Sequence, residues 1–202
     1  MTQKKPHHHG DLQEALVAAG ISLLEKGGIS ALSLRKCAAI SGVSHAAPAH
    51  HFGGLDGLIA AIVAKGFTSF TDYMVRERDK AGADPNMRLK GILKGYLAFA
   101  DQNAALFTLM FGTRIDIEVD EDLATIAAKS YQVLAETCAP FIPQNDPTPR
   151  ATEILVWSLV HGYASLRQYG QVTPNGPIED VVFEDILKRL PILNGALGPQ
   201  SK

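Results

Sequence analysis

The sequence predicts an all-α protein of about nine helices, and three observations support this fold class. Apolar side chains recur three or four residues apart in every long segment, as they do along the buried face of an α-helix. Glycine and proline clusters separate these segments, as they do at helix ends and turns. We find no convincing alternation of apolar and polar residues, the pattern of a half-buried strand. We therefore expect a small three-helix head followed by a larger helical body.

The first helix is predicted from Asp11 to about Lys26. Asp11 followed by Glu14 is the spacing of a capping box, in which each side chain accepts from a free backbone N–H. Gly27 and Gly28 end the helix. Residues 1–10 are polar and are predicted to form a flexible arm.

The segment from Leu32 to Phe52 has the pattern of a helix-turn-helix motif. Ser33 is placed to cap a short first helix, and Gly42 supplies the turn after it. Val43 is expected to fill the space where the two helices meet at the turn, and Ser44 is expected to cap the second helix at its first residue. A second helix of this kind is suited to enter a DNA groove.

Six further helices are predicted in the body, separated by glycine- and proline-rich breaks. Their approximate bounds are 56–81, 86–103, 104–111, 121–141, 150–169 and 178–193. The head is accordingly expected to span residues 1–55 and the body residues 56–202.

The charges are divided unevenly along the chain. Residues 1–55 carry five Lys and Arg against three Asp and Glu, a balance of +2, whereas residues 56–202 carry 14 against 18, a balance of −4. This suits a nucleic-acid-reading head on an acidic body, although chance clustering of a few charges would give the same balance. Cys37 and Cys138 lack metal-site spacing and are predicted to be buried, reduced thiols of a cytoplasmic protein. The apolar runs look too short and too interrupted to span a bilayer.

Residues Gly28 to Ile62 resemble the DNA-binding region of the TetR family of bacterial transcriptional regulators. The residues that carry the resemblance are Ser33 to Ala38, Gly42-Val43-Ser44 and His51-Phe52. The resemblance implies a DNA-binding regulator, most simply a repressor, that a small molecule releases from its operator. It also implies that residues 1–55 are the DNA-binding domain and that residues 56–202 are the ligand-binding and dimerisation domain.

The two ends of the chain also resemble one subgroup of that family. His8-His9-Gly10-Asp11-Leu12 is similar to the opening of that subgroup. The subgroup also has a late Trp-x-x-x-His-Gly element, which Trp157, His161 and Gly162 match.

The resemblance implies that the recognition helix begins with His45, Ala46 and Ala47, which face base edges. His50 and His51 would then lie toward phosphates, although His51 could equally be a core or surface histidine. The full set of candidate DNA contacts is Ser33, Arg35, Lys36, Ser44, His45, Ala46, Ala47, His50 and His51.

Two positions depart from the family pattern. Ala49 stands where an aromatic residue is usual, and Gly53-Gly54-Leu55-Asp56 lacks the usual lysine after the phenylalanine. Both family residues normally contact DNA phosphates. Their absence removes a contribution to DNA affinity that does not depend on the DNA sequence. A TetR-like dimer that has weakened or lost DNA binding and acts through a ligand or protein partners is therefore the alternative function.

In the body, aromatic and other large side chains are candidates to line a pocket for a small apolar ligand, although such residues at helical spacing usually belong to the core. They are Tyr96, Phe107, Met110, Phe111, Tyr131, Trp157 and His161. The last two long helices carry apolar stripes and are the expected surface of a homodimer. Their stripes comprise Ile154, Leu155, Leu159, Val182, Ile186 and Leu190.

Other classes of function are poorly supported by the sequence. The nucleophile, zinc-protease and phosphate-loop patterns are missing, so we expect neither an enzyme nor a cofactor. His7, His8 and His9 could bind a metal together with His50 or His51, but a flexible arm offers poor ligand geometry, and we expect no metal site.

Overall fold

A computed structural model describes residues 9–112, 120–168, 170, 172–173, 176–178 and 181–189. Nine α-helices dominate these residues, which confirms the all-α prediction. Their bounds are α1 His9–Gly27, α2 Leu34–Ser41, α3 Ala47–Phe52, α4 Leu55–Lys80, α5 Pro85–Gln102, α6 Ala104–Gly112, α7 Glu121–Cys138, α8 Arg150–Gln168 and α9 Phe183–Leu187.

Helix α1 begins before the predicted capping box. Because the helix already includes His9, Asp11 is an internal residue and not the N-cap. The predicted arm is therefore too long by two residues, and residues 1–8 lie outside the described residues. The predicted end is confirmed, since Gly28 leaves the helix with φ of 66°.

The helix predicted over 178–193 is much shorter in the structure. Before it, in the predicted break between residues 169 and 178, Val172–Thr173 and Gly176–Pro177 form a two-stranded antiparallel pair, β1 and β2, which the sequence did not predict. Helix α9 begins only at Phe183, because Val182 before it is extended. The hydroxyl of Tyr163 donates to the carbonyl of Val181 at 2.7 Å, which satisfies this backbone group outside any helix. Residues 190–193 lie outside the described residues.

Packing divides the chain into two compact units, the first of which comprises Met1–Ser69 and Asn103–Ala127. Within this unit α1 packs against α2 and α6. Gly20 permits a close approach to α4, since a Cβ at this position would lie 2.6 Å from Cδ1 of Ile62. The unit therefore holds the predicted head together with the first part of α4 and all of α6.

The second unit comprises Phe70–Gln102 and Ala128–Lys202, and within it α5 packs against α8. The backbones of α4 and α5 also come very close. A Cβ on Gly95 would lie 2.4 Å from the carbonyl oxygen of Tyr73, and one on Gly91 would lie 2.6 Å from that of Glu77. Only glycine leaves room for this crossing.

These units are not bounded at residue 55, because α4, which begins there, belongs to the first unit as far as Ser69 and to the second from Phe70. A division by packing does not establish where one function ends and another begins. The functional boundary between residues 55 and 56 therefore stays a prediction.

Helix α4 is long and apolar enough, by length and composition, to cross a membrane, contrary to the expectation that the apolar runs are too short. Its most apolar 18-residue window has a mean hydropathy of 1.3, and 39% of that window is buried inside the protein. A core helix of a soluble protein passes the same test, so this one helix is weak evidence for a membrane span.

Candidate nucleic-acid interface and buried polar cluster

The first helix of the predicted motif and its turn are confirmed. Ser33 is the N-cap of α2, although its side chain makes no capping hydrogen bond. Gly42 ends α2 in the left-handed conformation, with φ of 67° and ψ of 29°. The amide of Val43 then donates to the carbonyl of Ala38 at 3.0 Å, which closes the turn.

The second helix begins at Ala47 rather than at Ser44, so the predicted capping role of Ser44 is wrong. A helix starting there would need an amide on residue 48 to donate to the carbonyl of Ser44, and Pro48 has none. Ala47 donates to that carbonyl instead, at 3.0 Å, and the α-helical pattern starts with the bond from His50 to Ala46 at 3.1 Å.

Buried contacts hold α2 in place within the first unit. The side chains of Cys37 and Ala38 are fully buried, and the hydroxyl of Ser41 donates to the carbonyl of Ala15 on α1 at 3.2 Å. Burial raises the pKa of the Cys37 thiol, so this group stays protonated and unreactive. The motif is thus mounted on α1 by both packing and a hydrogen bond.

Most of the candidate DNA contacts lie at the surface, although nothing in the structure tests their binding to DNA. Exposed side chains are Arg35, Lys36, Ser44, His45, Ala46 and His50, and half-buried ones are Ser33, Ala47 and His51. The ring of His51 lies 5.8 Å from that of His50 and 6.5 Å from that of Phe52. His51 is therefore partly a packing residue, which was one of its two predicted roles.

Three candidate ligand contacts lie on α6 in the first unit, where they pack as core residues. Phe107 and Met110 are buried, and the rings of Phe107 and Phe111 are 4.9 Å apart. Phe111 also meets Phe67 of α4 edge to face, at 5.8 Å. Their role toward a ligand stays a prediction.

Tyr96 of α5 is the centre of a buried polar cluster in the second unit. Its phenolic oxygen lies 2.7 Å from Nδ1 of His161. The phenol can donate its hydrogen to Nδ1 or accept one from it, according to the tautomer of His161. Burial raises the pKa of Tyr96 and lowers the pKa of His161, which favours this neutral arrangement.

Tyr131 of α7 belongs to a second polar contact on the same helix face of α8. Its hydroxyl donates to Oε2 of Glu153, and its ring lies 6.1 Å from that of Trp157. This hydrogen bond is the largest cause of the raised pKa of Tyr131. Glu153 is buried, with 8% of its surface exposed, and was not a candidate in the sequence analysis. Its position four residues before Trp157 places the two side chains on one face of α8, and this spacing was the sequence signal that could have identified Glu153.

The second unit has a surface groove of about 610 Å³ that contains none of the candidate ligand residues. Among the residues that line it are Leu97, Tyr163, Phe183 and several lysines. Glu77 joins two of these lysines, with distances of 2.5 Å to Lys80 and 2.9 Å to Lys94, and these partners lower its pKa to about 2. The groove is therefore flanked by an ion-pair network.

Within the described part of the chain, His, Cys, Asp and Glu side chains form no group that could hold a metal ion. His7 and His8 lie outside that part, so the hypothesis of a metal bound by the arm is not tested.

The described fold and motif define a helix-turn-helix protein with a helical body. Residues 89–190 match the family model described as "Tetracyclin repressor-like, C-terminal domain", which covers half of the 202-residue chain. The chain therefore belongs to the TetR family of transcriptional regulators. Its place in the Trp-x-x-x-His-Gly subgroup stays a prediction.

Solved structures agree with this assignment at the level of the fold. A protein of unknown function from Rhodococcus sp. RHA1 is 26% identical, with a TM-score of 0.72, and the match covers 96% of this chain and 95% of that one. The fatty acid degradation regulator FadR from Bacillus halodurans is 13% identical, with a TM-score of 0.64 and 98% of each chain covered. The multidrug binding protein EbrR, complexed with imidazole, is 18% identical, with a TM-score of 0.58, and the match covers 94% of this chain and 96% of that one. No curated protein matches the chain.

Proposed function

We propose that the protein is a cytoplasmic, non-enzymatic repressor that binds an operator in double-stranded DNA and leaves it when a small apolar ligand binds the body. The observation that carries this proposal is the exposed surface of the motif. Arg35 and Lys36 on α2 and His45 and His50 around α3 are all exposed on one rigidly mounted pair of helices. Such a pair presents both cations for phosphates and side chains for base edges.

The late start of α3 assigns different roles within the motif. Ser44, His45 and Ala46 precede the helix, where His45 can reach base edges and Ser44 can donate to a phosphate. Ala46 and Ala47 can contact only thymine methyl groups. Ala49 is also exposed, so this face of α3 carries only a methyl group where the family usually has an aromatic side chain. We expect Arg35 and Lys36 to supply a large share of the phosphate contacts.

Ligand control would act through the body. Two fold relatives are described by the words fatty acid degradation regulator and multidrug binding protein, which supports an apolar ligand here as well. A ligand can shift DNA binding only if it binds one conformation more tightly than the other. Within the second unit, Tyr96, Tyr131, Trp157 and His161 provide hydrogen-bonding groups among apolar side chains, and we propose these as contacts.

A homodimer would present two motifs to a palindromic operator. Supporting this, α8 exposes a stripe of apolar side chains: Leu155 is 48% exposed and Leu166 is 45% exposed. Gly162 lies between them, and a Cβ there would meet no atom within 4 Å. A second copy of α8 could therefore approach closely at Gly162. Val182, from the second predicted stripe, is also exposed, at 55%.

Selection from random DNA duplexes with the full-length chain tests the function, first at low salt. We expect a common palindromic site, and we expect Arg35→Ala with Lys36→Ala to weaken binding to it. If no common site is enriched, the DNA-reading function is wrong. The TetR-like dimer that acts through a ligand or protein partners would then replace it.

A further inference from the structure

A groove of about 960 Å³ lies within the first unit, between α1, the first part of α4 and the start of α7, and His51 and Phe52 of α3 also line it. Its floor is a face of α4 with small side chains at Gly57, Ala60, Ala61 and Ala64. Because these side chains project little from the helix, space remains open above them. The volume is in the range of small-molecule sites, which is about 300 to 1,000 Å³.

The two walls of the groove are apolar. Val17 and Ile21 contribute from α1, one turn apart, and Leu123 and Ile126 contribute from α7. Walls of this kind stabilise an aromatic or aliphatic group by removing its surface from water. The groove contains none of the residues proposed for the body ligand.

The groove is also negatively charged. Glu14, Asp120 and Asp122 line it and are exposed, and Lys65 is the one Lys or Arg among the described residues that line it. The Asp, Glu, Lys and Arg side chains of these described residues sum to −3 + 1 = −2. Among the ion pairs between described residues, none includes any of these four side chains. The carboxylates are therefore not neutralised by direct pairing within the described chain.

Helix capping explains only part of this charge. Asp120 accepts from the amide of Leu123 at 3.0 Å, as an N-cap of α7 does. The N-terminus of a helix carries only about half a positive charge. Asp120, Glu121 and Asp122 together exceed that charge, and Glu14 is in another helix.

We infer that this groove binds a lipophilic organic cation, as a ligand site separate from the proposed body site. The apolar portion of the cation would lie against the alanines of α4, and its positive centre would lie near Glu14 and Asp122. An anion of the same shape would face a net negative rim, so the site should discriminate by charge.

Tetraphenylphosphonium and tetraphenylborate test this inference, because the two ions have nearly the same shape and opposite charge. We expect isothermal titration calorimetry on the full-length chain to show one phosphonium bound per chain. Tetraphenylborate should bind at least about tenfold more weakly. Equal affinity for the two ions, or no binding of the phosphonium at millimolar concentration, would overturn the inference.

Variants then place the ion in this groove. Glu14→Gln combined with Asp122→Asn should weaken phosphonium binding by about three- to tenfold, since each removed pair is exposed to solvent. Glu121→Gln is the matched control, because Glu121 lies on the same turn but does not line the groove, and it should leave affinity unchanged.

Ala64→Phe should abolish binding by filling the floor of the groove. Circular dichroism and melting temperature establish that each variant folds. If the phosphonium binds equally well to all of these folded variants, its site is elsewhere and the inference is wrong. This result would not affect the proposed DNA-binding function, which is measured separately.

Discussion

The phenolic oxygen of Tyr96 and the Nδ1 atom of His161 are 2.7 Å apart and join α5 to α8. The two residues are separated by 65 positions in the sequence. Trp157 lies one turn before His161, and its ring is 6.1 Å from that of Tyr131. The histidine of the Trp-x-x-x-His-Gly element therefore holds Tyr96, while Gly162 has open space beside it.

Removal of the phenolic oxygen should destabilise the protein. Tyr96→Phe leaves the half-buried imidazole of His161 without this partner, at a cost of about 1–3 kcal/mol in the free energy of unfolding. Urea denaturation measures the change. Tyr73→Phe is the matched control, because its hydroxyl bonds to Gln102 at the surface and should contribute less. Equal losses in the two variants would show that the cluster has no special role.

The half-buried His161 should make the free energy of unfolding depend on pH. Burial lowers its pKa below the ordinary value of 6.5, so the unfolded chain takes up a proton more readily than the folded chain. Its contribution should be constant above about pH 6.5 and should decrease as the pH falls through the lowered pKa. Urea denaturation between pH 7.5 and 5 should show less acid sensitivity in His161→Gln. The same slope in both proteins would contradict this expectation.

The crossing of α4 and α5 should tolerate no side chain at Gly95. In Gly95→Ala the new Cβ would lie 2.4 Å from the carbonyl oxygen of Tyr73, so the two helices must separate. Overpacking of this kind costs about 1–3 kcal/mol, measured as a lower free energy of unfolding. Gly112→Ala is the control, since its nearest contact is an ordinary 3.5 Å to Thr108. A Gly95→Ala protein as stable as this control would contradict the crossing.

Charges placed on the exposed stripe of α8 should dissociate the proposed dimer. Leu155→Glu and Leu166→Glu each put a carboxylate at the centre of the contact, where it would be buried without a partner. Light scattering at micromolar concentration should change from a dimer mass to a monomer mass. Met87→Glu, at a 50% exposed methionine of α5, should leave the mass unchanged. A monomer mass for the unaltered protein would refute the dimer.

The basic side chains of α2 should determine the salt dependence of DNA binding. Arg35→Ala and Lys36→Ala should each weaken binding to all sequences and lower the salt slope by about one unit. His45→Ala should instead change the preference among sites. Filter binding or fluorescence anisotropy at several salt concentrations measures both effects. Lys65→Ala, the same charge change on α4, should leave the slope unaltered.

The sequence by itself determined where most helices begin and end. Gly28, Gly42 and Pro85 act through their own backbone conformations, and Asp120 caps the helix that follows it, so no distant partner is needed. The start of α3 was also a local matter. It was missed because the cap expected at Ser44 requires an amide that Pro48 lacks.

The tertiary structure alone decided which side chains meet. Periodicity places Trp157 and His161 on one face of α8 but does not specify that Tyr96 lies opposite them, because that depends on how α5 packs against α8. Tertiary contacts also explain why α9 is short, since the carbonyl of Val181, just before this helix, accepts a hydrogen bond from Tyr163 of α8. Hydrogen bonds between residues 65 or 18 positions apart form only when the elements pack together, so the apolar pattern within one segment cannot predict them.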